Sequence, residues 1–63
     1  MRKILLQRRD HKSWTDCEVQ LYLLPDNEVT PFVTWVKNKN HDGLCWGHYN
    51  KTIEEATQDF KER

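Results

Sequence analysis

His41, Cys45 and His48 are residue types that ligate zinc, and they lie close together in the chain. Zinc needs three or four convergent nitrogen or sulfur ligands. Cys45 and His48 stand three apart in a segment read as a strand, so alternation sends their side chains to opposite faces. A further ligand would have to come from Cys17 or His11, both distant in sequence. The expectation is no metal site. A thiol nucleophile needs a base and an orienting group in contact with it. Cys17, Cys45 and three histidines supply the types without a recognisable arrangement. No phosphate-binding loop, nucleophile elbow or helical His-Glu metal motif occurs. Glu54 and Glu55 are adjacent on a segment read as a helix, so they diverge. The expectation is a chain without catalysis and without a cofactor.

Aromatic residues beside bases offer a different chemistry. Trp14, Tyr22, Trp35, Trp46 and Tyr49 are many for 63 residues. Single-strand nucleic-acid binders stack bases on sheet aromatics next to Lys and Arg. Tyr22 and Trp35 fall on strand faces opposite the aliphatic residues, and Arg8, Arg9, Lys37 and Lys39 are placed to frame them. These six residues form the candidate binding surface. The same aromatics also suit a small core or a protein interface.

Charge bears on the choice. Ten Lys and Arg balance ten Asp and Glu, for a net charge of zero. Phosphate binding is driven by counterion release, so a neutral chain is a weak candidate for it. The balance conceals segregation. Residues 1–12 carry a net of +4, residues 13–36 a net of −4, residues 37–51 a net of +2 and residues 52–63 a net of −2. Seven aromatics with two Gly and two Pro argue against disorder. No apolar run approaches the roughly 18–20 residues that cross a bilayer. The apolar run Ile4 to Leu6 is too short for a secretory signal, and two cysteines without one read as free thiols. The expectations are one domain over residues 1–63, a cytoplasmic location and no membrane partner.

The candidate residues need elements to position them. Residues 3–9 read as a short first strand, and residues 10–16 as a loop. Residues 17–24 alternate well: Cys17, Val19, Leu21 and Leu23 share one face, while Glu18, Gln20 and Tyr22 share the other. Pro25 to Glu28 is a turn. Residues 31–37 are dense in β-branched and aromatic types, with Phe32, Thr34 and Val36 opposite Val33, Trp35 and Lys37. Residues 38–43 form a hairpin loop in which Asp42-Gly43 suits positive φ. Residues 44–49 form the next strand, where Gly47 signals a bulge or a close backbone approach. Thr52-Ile53-Glu54-Glu55 is a capping box, and Ile53, Ala56, Thr57 and Phe60 make one stripe of the helix that follows. A helix of about ten residues is unstable alone and must dock on the sheet. The fold expected is α+β: a three- to four-stranded antiparallel meander with one C-terminal helix on one face.

Residues 44–60, about a quarter of the chain, combine an aromatic-Gly-x-aromatic strand with Thr-x-Glu-Glu-Ala and a later aromatic. This stretch resembles the last strand and helix of plant ethylene-response DNA-binding domains and of the arm-type DNA-binding domains of phage and transposon integrases. HicB-type antitoxins have a similar helix start. The whole chain resembles small uncharacterised proteins of bacterial phages and plasmids. The DNA-binding families imply a three-stranded sheet backed by one helix, with the sheet entering the major groove. They place several Arg and Trp on their first two strands, whereas residues 17–36 hold no basic residue. The resemblance therefore implies an architecture and no base-contacting residue. The leading expectation is binding to a protein partner, self-association included, through the exposed sheet face. The alternative is nucleic-acid binding in a mobile element.

Overall fold

The computed structural model describes residues 2–63. Four strands, β1 (Ile4–Asp10), β2 (Cys17–Leu23), β3 (Phe32–Asn38) and β4 (Leu44–Asn50), precede one helix, α1 (Ile53–Glu62). The strands form a single antiparallel sheet in the order β1-β2-β3-β4, and α1 packs against it. The expected α+β meander with one C-terminal helix is the observed fold.

Polar side chains close the connections. His11 Nδ1 accepts from the amides of Ser13 and Trp14 at 3.0 and 3.2 Å, which folds the loop into β2. Asn27 Oδ1 accepts from the amides of Val29 and Thr30. Asn38 Oδ1 accepts from the Asn40 amide at 2.8 Å, starting the β3–β4 turn as an Asx turn. Gly43 does not adopt the positive φ expected of it. Asn38 supplies the turn chemistry instead.

Register decides which residues share a face. On one side lie the pairs Val19↔Val36, Leu21↔Thr34 and Leu23↔Phe32. This face carries α1, and Val19, Leu21, Ala56 and Phe60 make the core, with Phe32 against it. Burying each large apolar side chain contributes about 1.5–3 kcal/mol. Thr52 sits in the extended region, and its hydroxyl accepts from the Glu55 amide at 3.1 Å. The Glu55 carboxylate reaches back to the Thr52 hydroxyl, not to its backbone amide. The docking stripe is narrower than its spacing suggests. Ala56 and Phe60 are buried, whereas Ile53, in the first turn, is 38% exposed.

A bulge in β4 corrects the expected separation of Cys45 and His48. Val36 pairs with Cys45 and Thr34 with His48, so β4 uses one extra residue opposite Trp35. The extra residue restores the phase of the pleat. Cys45 and His48 therefore share the helix-bearing face. The positive φ of the bulge, 52°, falls on Trp46 and not on the neighbouring glycine. β1 has a second irregularity, between Leu5 and Gln7.

Candidate functional site

The face of the sheet without the helix is built in rows. Leu5 pairs with Tyr22, Tyr22 with Val33, and Val33 with Tyr49, so one apolar and aromatic row crosses all four strands. The adjacent row runs Arg8, Gln20, Trp35 and then the β4 bulge. The third runs Asp10, Glu18, Lys37 and Leu44.

Trp35 holds the centre. Its ring meets Tyr22 edge-on at 5.4 Å between centroids and Tyr49 at 6.0 Å. Such tilted pairs contribute about 0.5–1.5 kcal/mol beyond area burial. The side chains of this face shield its floor: Val33 is fully buried and Gln20 is 4% exposed. Gln20 is satisfied there, donating to Glu18 Oε1 at 2.6 Å and accepting from the Tyr22 hydroxyl at 2.8 Å. Tyr49 is 51% and Leu5 43% exposed. The result is an aromatic platform held rigid by its own packing and open to solvent at both ends.

The six candidate residues divide between locations. Tyr22, Trp35, Arg8 and Lys37 share this face, with Arg8 opposite Gln20 and Lys37 opposite Glu18. Lys37 Nζ donates to the His41 carbonyl at 2.9 Å. Arg9 lies on the other face, where it donates to the Phe60 carbonyl and stacks 5.1 Å from the Phe60 ring. Lys39 lies beyond the end of β3 and pairs with Asp10 at 2.8 Å. That hydrogen bond and the charge of Lys39 hold the Asp10 carboxyl below the usual carboxylate range. Two members of the platform, Leu5 and Tyr49, are absent from the sequence-derived set. The place of Tyr49 depends on the β4 bulge that Gly47 signals, and that of Leu5 on the β1 irregularity, of which the residue types carry no signal.

Two further clusters lie on the helix-bearing side. Under α1, the Thr34 hydroxyl donates to the Asp59 carboxylate, and both Asp59 oxygens lie 3.0 Å from His48 Nδ1. Arg63 Nη1 donates to the Thr34 carbonyl at 3.0 Å and to its hydroxyl oxygen at 3.1 Å. Burial pushes the Arg63 guanidinium below its ordinary range, against the pull of Asp59. This cluster ties the end of the helix to β3 and β4. Elsewhere on that side, Cys17, Val36, His41, Cys45 and Trp46 line a cavity of about 260 Å³. Trp46 meets Trp14 at 5.0 Å, and Trp14 stacks on His11 at 4.5 Å. Cys17 and Cys45 are free thiols. Among the described residues no three His, Cys, Asp or Glu side chains are placed to share a metal ion.

Comparison of the chain with protein-family models, with curated proteins and with solved structures finds no match.

Proposed function

We propose that this chain is a non-enzymatic interaction module that engages a protein partner through the open face of its sheet. One observation carries the reading: the in-register row Leu5, Tyr22, Val33 and Tyr49, on the face that α1 leaves uncovered. Interface cores are enriched in Tyr, Trp and Arg, and a packed aromatic loses little conformational freedom on binding. Trp35, wedged between two tyrosines, meets that requirement. Strand addition at an edge is the less favourable mode. Both edge strands carry an irregularity, and the regular half of β1 is charged by Arg8 and Arg9. Bulges and edge charges oppose pairing with another strand. The free thiols suit a reducing compartment, in keeping with a cytoplasmic location.

Nucleic-acid binding is the second reading, supported by Arg8 and Lys37 in the rows around Trp35. It is the weaker one. Arg9 and Lys39 are engaged elsewhere, and the chain is neutral. Affinity capture from a lysate on immobilised wild type and on Tyr49→Glu tests the first reading. Tryptophan-fluorescence titration with mixed-sequence single- and double-stranded DNA, at low and moderate salt, tests the second. The expected result is capture that Tyr49→Glu abolishes, with no salt-sensitive DNA binding. DNA binding that falls with salt and disappears in Arg8→Glu would reverse the order of the two readings.

A further inference from the structure

We propose that the partner is a second copy of this chain, docked open face to open face about a two-fold axis parallel to the strands. The proposal rests on the protein-binding reading of this face and names its occupant.

The register of the face selects the axis. A two-fold along the strands, centred between β2 and β3, lays β2 of one copy over β3 of the other and keeps each row over itself. The Tyr22 row of one copy then lies over the Tyr22 row of the other and the Trp35 row over the Trp35 row. Because Val33 is fully buried and Gln20 4% exposed, the Tyr22 and Trp35 rings make the contacts there, and Glu18 faces Lys37, each contact occurring twice. Glu18 and Lys37 are also cross-strand neighbours within one copy. The dimer thus gathers four alternating charges at one end of the interface and aromatic contacts in its middle. A two-fold across the strands, centred on the Gln20–Trp35 row, instead puts Glu18 over Tyr22 and Lys37 over Val33, with no charge satisfied. Charge complementarity of this kind fixes orientation in an interface. Aligned packing of two sheets at about −30° leaves these central contacts in place.

Size agrees. The molecule measures 33 × 23 × 16 Å. Its broad side is bounded by 33 × 23 Å, enough to hold an interface at the small end of the range, below the ~800 Å² per partner of a standard one. The enclosed core is small, built around Val19, Leu21, Ala56 and Phe60. Chains of this length commonly gain stability by oligomerising.

Analytical ultracentrifugation of the full chain over a dilution series tests the proposal, on wild type, Glu18→Lys, Lys37→Glu and the double reversal. Far-UV circular dichroism checks the fold of each. We expect a wild-type dimer, dissociation constants raised about tenfold or more by each single reversal, and recovery in the double variant. A wild type that stays monomeric into the millimolar range overturns the dimer, and this arm needs no variant to fold. A dimer indifferent to both reversals overturns the axis. Failure of the parent reading is separate. A monomer whose partner capture still depends on Tyr49 loses only the second-copy assignment, whereas a monomer whose capture ignores Tyr49 loses both.

Discussion

The indole of Trp35 lies so close over Gly47 that a Cβ added there would sit 2.5 Å from its Nε1 and 3.2 Å from Tyr49 Cε1. Trp35 cannot easily retreat, because Tyr22 closes its other side. Gly47→Ala is therefore expected to destabilise the protein by about 1–3 kcal/mol, the usual cost of overpacking. Urea denaturation followed by Trp fluorescence measures it. An unchanged midpoint would mean that the platform is softer than its packing indicates.

Asp59 is the polar tie between helix and sheet. Asp59→Ala removes the acceptor of the Thr34 hydroxyl, and Thr34 is fully buried. A buried donor left without a partner costs about 1–3 kcal/mol. The loss should appear in thermal and urea unfolding, and adding Thr34→Val should cost less than it does in the wild type, because both substitutions remove the same hydrogen bond. Additive losses from the two substitutions would show that the residues are not coupled.

Arg8 and Arg9 are sequence neighbours with opposite duties. Arg9→Ala loses the bond to the Phe60 carbonyl and the contact with its ring, so a loss of about 1–2 kcal/mol is expected. Arg8 lies exposed on the open face. Arg8→Ala should weaken association and leave the unfolding midpoint unchanged at concentrations where the chain is monomeric. Paired denaturation and sedimentation measurements on the two variants separate these effects.

The Lys39–Asp10 pair predicts a modest pH dependence of known sign. Lys39 lowers the Asp10 carboxyl in the folded chain, so the pair stabilises above the ordinary carboxylate range. That contribution is lost as pH falls through the lowered folded value. Lys39 is raised by the same contact, so its share is complete below the ordinary lysine range and lost as pH rises above it. Both groups are exposed, and salt should weaken the pair. An NMR titration should find the Asp10 carboxyl moving up in Lys39→Ala; no movement would show that the pair is not formed in solution.

Much of the fold is legible in the chain, because the period of two in residues 17–24 and 31–37 assigns each side chain a face. The capping box at Thr52 likewise places the start of the helix. Gly47 is legible as a close approach, since only the absence of a side chain explains a glycine in a strand interior. What the chain conceals is phase. One extra residue in β4 returns Cys45 and His48 to the same face and brings Tyr49 onto the platform. Gly47 signals a bulge there, but alternation counted along the strand does not say where the extra residue falls. Alternation already separates Arg8 from Arg9; which of the two meets the helix follows from the irregularity between Leu5 and Gln7, and the partner of Arg9 is a backbone carbonyl, which no residue type reveals.

In the binding mode we propose, the open face, and not an edge of the sheet or the helix, meets the partner. A dilution series of ¹⁵N–¹H spectra locates the association surface residue by residue. Concentration-dependent shifts are expected at the Trp35 indole N–H and at the amides of Gln20, Tyr22 and Val33, with the amides of α1 unmoved. Shifts confined to β1 or α1 would contradict this binding mode, and none at any concentration would remove the second copy as the partner.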